Sequence, residues 1–206
     1  MAMEEGLDTG PVLIEQNLAI GLLDNGHILA ERMSALTADL MVEAMPLIES
    51  AGHGSEPERR ARLKVSDQAD RPGETSYARM LTKQDHQIDW SASALTIHRK
   101  VMALYPNAVT FWNNKRLKLL HCEPLIERLK EELPAEIHPL IGRWSTGGHP
   151  PGIVIDCVKG IGIVISTSGC PILVRAAQLE GKGRSDGDSL IQQLNAQPKQ
   201  LFGTFT

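Results

Sequence analysis

Residues 108–121 read AVTFWNNKRLKLLH, and this stretch decides how the second half of the chain folds. Two runs rich in β-branched, aromatic and leucine residues flank Asn113-Asn114. Asparagine tolerates positive φ, so the pair suits a tight hairpin turn. The pattern predicts strands over Ala108–Trp112 and Arg116–His121. Three more runs follow, Gly152–Cys157, Gly162–Ser166 and Ile172–Ala176, with turn residues at Lys159-Gly160 and Ser168-Gly169. Five short strands joined by hairpins suit a small barrel of the oligonucleotide/oligosaccharide-binding (OB) type. Between the second and third lies a polar insertion, Leu125–Gly148, with a short helix expected over Ile126–Leu133.

Upstream of the strands, Ser93 can cap a helix whose apolar stripe is Ala94, Ile97, Val101 and Leu104, ended by Pro106. Downstream, a last helix is expected over Ser189–Asn195. Trp90 and Trp112 sit among apolar neighbours and read as packing residues rather than platforms for bases.

The first half has a different texture. Val12–Ile20 reads as a strand entered from the turn Gly6-Leu7-Asp8-Thr9-Gly10. Ile28, Leu29, Met33, Leu36, Leu40, Met41, Ala44, Leu47 and Ile48 then recur near the helical period, after Asp24 or Asn25 as a cap. Thr37 interrupts the pattern, so one long helix or two short ones fit it, and Pro46 is expected to kink its last turn. Residues 54–76 are charged, hold two prolines and read as surface loop, with a short strand near Leu63-Lys64-Val65. One strand and one or two helices are too little for a domain. Apolar residues on both faces of Val12–Ile20 call for a sheet covered on two sides. The expectation is that the partner strands precede Met1 and that the chain is a fragment.

Composition narrows the class of function. The 206 residues are 42% hydrophobic and 22% charged, enough apolar surface for a core. No apolar run approaches the roughly 18 residues of a membrane span, and the start lacks a secretory pattern. The three cysteines, Cys122, Cys157 and Cys170, form no C-x-x-C pair. They read as reduced, buried thiols of a cytoplasmic protein. Residues 1–88 carry 8 Lys+Arg against 15 Asp+Glu, and residues 89–206 carry 13 against 10. The halves are therefore acidic and mildly basic. With aromatics at 4%, any nucleic-acid surface relies on charge more than on stacking.

Generic catalytic signatures are absent: no phosphate-binding glycine loop, no H-E-x-x-H, no G-x-S-x-G. His121 and Cys122, adjacent on a strand, point to opposite faces, so no metal site is expected. The turn around Asp8 carries two readings. Two glycines bracket the aspartate and permit close backbone approach to a ligand, so Asp8 can orient a histidine or water for proton transfer. Alternatively, Asp8 caps a backbone N–H in a structural turn.

Three blocks carry a family resemblance. Met3-Glu4-Glu5-Gly6-Leu7-Asp8-Thr9-Gly10, with Val12-Leu13, resembles the active-site loop and following strand of the methionyl-tRNA formyltransferases. Tyr77–Asp85 through Ile88-Asp89-Trp90-Ser91 is similar to that family's interdomain linker. Val174–Lys182, with Gln178-Leu179-Glu180-Gly181-Lys182, resembles the last strand of its C-terminal barrel. The resemblance implies an α+β chain: residues 1–53 as the remnant of a doubly wound α/β formyltransferase domain, 54–88 as linker, and 89–206 as an OB-like five-stranded β-barrel domain that binds tRNA. It implies formyl transfer from 10-formyltetrahydrofolate to the amino group of methionine on initiator tRNA. Family members use an Asn, a His and an Asp. Asp8 matches the Asp, and Gly6 and Leu7 fall in the folate-facing loop. No segment matches the motif that holds the Asn and His, so the chain as given is expected to be inactive.

The same resemblance gives the basic residues a role. Lys115, Arg116 and Lys118 lie on one hairpin, Lys159 at another turn, and Lys182 and Arg184 after the last strand; Lys83 lies in the linker. Such groups neutralise phosphates, although basic residues at hairpin turns also make an ordinary solvated rim. Where many members carry an Arg, the helix before Pro106 has Met102, with Arg99 and Lys100 nearby. Gln178 and Glu180 read as structural. Two other classes remain open. One is a non-catalytic RNA-binding barrel, which has no need of the Asp8 loop. The other is a folate-dependent formyltransferase acting on a nucleotide sugar, or a formyltetrahydrofolate hydrolase. The Ile88-Asp89-Trp90 and Gln178–Lys182 segments favour the tRNA branch.

Overall fold

A computed structural model describes residues 1–70, 73, 76–144 and 148–203. The chain divides into two compact units. The first comprises Met1–Ile20 and Ile28–Arg79, and the second Gly21–His27 and Met80–Thr206.

In the first unit the long apolar pattern forms one helix, α1 (Gly26–Ser50), whose first two residues group with the second unit. Asn25 Oδ1 accepts a hydrogen bond from His27 N at 3.0 Å, the cap expected of it. Thr37 does not divide the helix. Its hydroxyl turns back to the Met33 carbonyl at 2.7 Å and so satisfies itself within the turn. The charged stretch after Gly54 contains a helix rather than loop alone: α2 (Glu56–Leu63). The Glu58 carboxylate accepts the Ser55 N–H at 2.9 Å, half of a capping box, and Arg60 adds an i,i+4 pair with Glu56. The strand expected near Leu63–Val65 is replaced by the end of α2, where Lys64 takes φ 53°. Arg71, Pro72, Glu74 and Thr75 of this stretch lie outside the described residues.

The strand expected over Val12–Ile20 does not form. Its ladder is one residue long, Val12 exchanging hydrogen bonds with Ser66 at 2.8 and 2.9 Å. A strand is stable only when neighbours take its backbone groups in succession; among the described residues Ser66 is its one bridge partner, and the Ala19 carbonyl instead accepts from the Arg32 guanidinium at 3.0 Å. The unit also buries little. Among its described apolar side chains only Pro11, Ala44 and Ala51 are buried, while Met33, Met41, Val42 and Met45 are exposed.

The second unit holds the core. Ser93 caps α3 (Ala94–Ala103) as expected, its hydroxyl accepting from Thr96 N at 3.2 Å. Six strands follow: β1 (Val109–Trp112), β2 (Lys115–Pro124), β3 (Val154–Val158), β4 (Gly162–Ile165), β5 (Ile172–Leu179) and β6 (Arg184–Asp186). A final helix, α4 (Gly187–Leu194), ends the regular structure. The strands form one antiparallel sheet in the order β1-β2-β5-β4-β3, with β6 paired to β5. Five strands were expected, so β6 is the difference: three residues flanked by glycines and charges give no period to read. Asn113 and Asn114 turn the first hairpin with φ 47° and 60°, the left-handed pair that a two-residue turn requires. The insertion after β2 forms two short 3₁₀ turns, Glu127–Glu132 and Ala135–Leu140, rather than an α-helix. They cover a cluster of Leu125, Leu133, Ile137 and Leu140 with Val164 and Leu173.

The larger core packs α3 and α4 on the sheet through Ile97, Val101, Leu117, Leu119, Ile163 and Leu190. Trp90 and Trp112 are buried in it and pack as expected. The Trp90 indole donates to Thr110 Oγ1 at 3.0 Å and that of Trp112 to the last-turn Leu194 carbonyl at 2.9 Å. The tail completes the unit. Phe202 sits against both tryptophans, with ring centroids 5.7 and 4.5 Å away. Its backbone runs along the β3 side, with Phe202 N donating to Gly152 O and Val154 N to Gln200 O. Gly203 N then donates to Phe111 O on β1. Residues 200–203 thus join the two ends of the strand order.

Candidate nucleic-acid interface and the aspartate loop

Register decides which basic residues share a surface. Lys118 on β2 stands opposite Gln178 on β5, and Gln178 stands opposite Arg184 on β6. Adjacent strands are about 4.8 Å apart, so Lys118 and Arg184 stand about 10 Å apart on one face. Arg116, two residues before Lys118, projects from that same face. Leu117 and Leu119, between and beyond them, are buried on the other. Arg116 is held in place through its backbone, which exchanges hydrogen bonds with Glu180 at 2.9 and 3.2 Å. Gln178 Nε2 donates to the Lys182 carbonyl at 3.0 Å and fixes the β5–β6 turn. The structural roles expected of Gln178 and Glu180 are therefore visible.

Lys83 joins this group from the segment that precedes α3 in the second unit. Asp85 Oδ2 accepts hydrogen bonds from the Thr82 N–H and hydroxyl at 2.7 and 2.8 Å, which folds the chain tightly around Lys83. Lys83 and Arg116 line one surface depression of about 470 Å³. Lys182 lies in the turn before β6. Lys115, one residue from Arg116, belongs to the opposite face at the hairpin tip. Lys159 is farther off, in the β3–β4 turn, where Gly160 N donates to Asp188 Oδ1 at 2.6 Å. Among the described residues, none of these seven side chains forms an ion pair or hydrogen bond with protein. Arg60, Arg143 and Arg175, by contrast, each meet a carboxylate. A cation without an internal partner meets a phosphate without first breaking an ion pair.

On α3, Met102 is buried and Lys100 Nζ donates to the Gln87 carbonyl at 2.5 Å, which leaves Arg99 as the exposed cation of that helix. Asp89 accepts from the Ser91 hydroxyl and N–H at 2.6 and 2.9 Å, and these bonds hold its carboxyl below the usual aspartate range.

The Asp8 loop is exposed from Gly6 to Thr9, and Gly10 is buried. Asp8 takes φ 56°, and Gln68 Nε2 donates to the carbonyls of Asp8 and Gly10 at 2.8 and 2.7 Å. A Cβ on Gly10 would run into the Ala2 carbonyl oxygen, so the turn needs a glycine there. The Asp8 carboxylate itself has no partner among the described residues. It neither orients a histidine nor caps an N–H. Leu7 is 95% exposed. The depression beside Gly6 is lined by Glu4, Glu5 and Glu56 with Arg60, and Arg60 is already paired to Glu4 and Glu56 at 2.6 and 2.7 Å.

Two features escaped the sequence. His98, on the apolar stripe of α3, is fully buried, with Nδ1 and Nε2 each 2.7 Å from the carbonyl oxygens of Cys122 and Leu22. Its place on the stripe, between Ile97 and Val101, was the available signal. Glu123 on β2 is also fully buried, with Oε1 3.1 Å from His121 Nε2 and 3.5 Å from Arg175 Nη1, while Oε2 has no partner. Arg175 reaches on to Glu136 at 2.5 Å. Cys122 is buried, and burial, with Glu123 beside it, pushes its thiol far up; Cys157 and Cys170 are half-buried, and burial raises Cys157 as well. No group of three His, Cys, Asp or Glu residues that could hold a metal ion occurs among the described residues. No described helix is long and apolar enough to cross a membrane.

Comparison with known proteins adds a second line of evidence. Residues 80–195 match the family described as formyl transferase, C-terminal domain. The chain is 85% identical over all 206 residues to the methionyl-tRNA formyltransferase of Synechococcus sp. (strain CC9311), covering 60% of that protein. It is 61% identical over 203 residues, 98% of this chain, to that of Parasynechococcus marenigrum (strain WH8102), covering 59% of it. The chain thus spans about 60% of the length of these curated relatives. Among solved structures, a variant of HypX from Aquifex aeolicus has a TM-score of 0.62 at 14% identity, over 96% of this chain and 30% of HypX. HypX in complex with tetrahydrofolic acid gives 0.59 at 14% identity, over 98% of this chain and 32% of HypX. At that identity the likeness is one of fold.

Proposed function

This chain belongs to the methionyl-tRNA formyltransferase family, whose C-terminal domain it contains, and from that premise we propose that its second unit holds initiator tRNA. The observation that carries the proposal is the free cationic face: Arg116, Lys118 and Arg184 in register across β2, β5 and β6, with Lys83 beside Arg116. Lys115, Lys159 and Lys182 extend the charge around it. Each cation that neutralises a phosphate releases counterions, so binding weakens as salt rises. Sequence discrimination is not expected of this face, because phosphate contacts position an RNA without reading it.

The reaction of the whole protein is formyl transfer from 10-formyltetrahydrofolate to the amino group of methionyl-initiator-tRNA. In our reading residues 1–53 are the end of the catalytic domain, 54–88 the linker and 89–206 the tRNA-binding domain. The six-stranded sheet closes as an OB-like barrel, a reading supported by the tail segment that bonds to both β3 and β1. Asp8 takes the place of the family's catalytic carboxylate. A carboxylate alone supplies no donors to a developing oxyanion, and groups that act as one unit lose most of their effect when the others are missing. Gly6 and Leu7 belong to the folate-facing side of that loop, and this chain carries only that part of the folate site. The 206-residue chain by itself is therefore inactive in formylation while it retains tRNA.

The test is a titration of labelled initiator tRNA with the purified chain at several salt concentrations, alongside a formylation assay. Binding whose logarithm falls linearly with log salt supports the reading. No binding at 50 mM salt overturns the tRNA role, and formylation near the rate of a complete enzyme overturns the claim of inactivity.

A further inference from the structure

The depression that Lys83 and Arg116 share has more chemistry than two cations. His86, Gln87 and Asn107 also line it, and Val109 and Phe111 give it an apolar wall. At about 470 Å³ it lies in the size range of sites for small organic ligands, ~300–1,000 Å³, well beyond what a phosphate ion alone fills. Its floor is rigid: Ile88 N donates to Val109 O at 2.8 Å, and Gln87 O receives Lys100 Nζ. The His86 ring makes no hydrogen bond among the described residues, and its buried Nδ1 has no partner. Such a polar atom is an uncompensated cost unless a ligand or water serves it.

The arrangement separates into three functions. Lys83 and Arg116 supply positive charge at one side. The amides of Gln87 and Asn107 each offer a donor and an acceptor, the pairing that reads a base edge or a ribose hydroxyl. Val109 and Phe111 supply an apolar surface for the flat remainder. We propose that this depression binds one unpaired nucleotide, its 5′-phosphate between Lys83 and Arg116 and its ribose and base toward Asn107 and Gln87. The proposal rests on the reading of this unit as an RNA-holding domain and deepens it: the cationic face gives affinity, and the depression selects RNA with an unstacked nucleotide at that point.

The experiment pairs a neutral double variant with a small probe. Gln87→Ala with Asn107→Ala removes exposed amides and no charge. It is expected to weaken initiator-tRNA binding about tenfold, the effect of losing one to two hydrogen bonds, while the salt slope stays unchanged. In the second arm, adenosine and cytidine 5′-monophosphates are titrated into the isotope-labelled chain. Amide signals of residues 83–88 and 107–116 should move, and inorganic phosphate at the same concentration should not move them. Unaltered tRNA affinity in the double variant overturns the nucleotide site and leaves the cationic face standing. Equal shifts with phosphate alone overturn it in favour of a plain anion site. If the wild-type chain binds the monophosphates but no tRNA, RNA as the source of the nucleotide is overturned. If it binds neither, the site and the tRNA reading fall together.

Discussion

Replacing Phe202 by alanine tests how the tail holds the second unit together. Phe202 is 1% exposed and packs between Trp90 and Trp112 at 5.7 and 4.5 Å. Removing a buried phenylalanine side chain costs about 3–5 kcal/mol through lost transfer energy and the cavity left behind. The two aromatic contacts lie within that figure, at about 0.5–1.5 kcal/mol each beyond burial. The backbone bonds of residues 200–203 survive the substitution in principle, so about 3–4 kcal/mol is expected. That corresponds to a fall in Tm of roughly 12–16 °C for a unit of this size. Urea unfolding followed by tryptophan fluorescence measures it directly, because two of the three reporters are the residues Phe202 touches. Phe202→Leu should recover more than half of the loss, since it refills most of the volume. A loss below about 1 kcal/mol for Phe202→Ala would refute the reasoning, because it would mean that the tail is not part of the core.

Three further outcomes follow from individual contacts. Thr110→Val keeps shape but leaves the buried Trp90 indole N–H unpaired, and should cost about 1–3 kcal/mol by denaturant unfolding; a neutral result would contradict the 3.0 Å bond. Arg175→Met leaves the buried Glu123 carboxylate with His121 as its one remaining side-chain partner among the described residues and should cost about 1–3 kcal/mol, whereas Arg175→Met with Glu123→Leu should recover most of it; equal losses in single and double variants would argue against coupling. Glu58 is held below the ordinary glutamate pKa by the Ser55 N–H and hydroxyl. A lowered folded-state pKa means that this cap contributes fully above the ordinary value and is lost as pH falls through the lowered one. Carbon-detected titration of Glu58 checks this, and an ordinary midpoint would contradict it.

Much of the second unit is legible in sequence, for local reasons. The Asn113-Asn114 turn, the Ser93 cap and the alternating runs beside them each act within a few residues, and the structure follows them. The extent of β2 and β5 is not legible. His121, Glu123 and Arg175 interrupt the apolar runs, and only the fold shows that they pair with one another across the ladder. The α2 helix was readable in principle from Ser55 and Glu58, a capping pair three residues apart, yet the density of charge and the flanking prolines mask it. Val12–Ile20 marks the opposite limit. Its composition suits a strand, but strand formation is decided by neighbours, and the described residues offer it Ser66 alone as a bridge partner. For the candidate site, the cationic residues are visible in sequence as a list without geometry. Register sorts them, setting Arg116, Lys118 and Arg184 together and Lys159 apart, and it brings Lys83 to Arg116 from a distant segment.

The central claim is that these cations hold RNA, and the salt dependence of initiator-tRNA binding by Arg116→Ala with Lys118→Ala tests it most directly. Each phosphate contact contributes about 0.7–0.9 to the slope of log affinity against log salt. The double variant should bind more weakly at 50 mM salt and with a slope shallower by about 1.4–1.8. Both side chains leave the core untouched, so unfolding midpoints should match the wild type. A slope equal to that of the wild-type chain, in a variant that folds normally, would contradict the account.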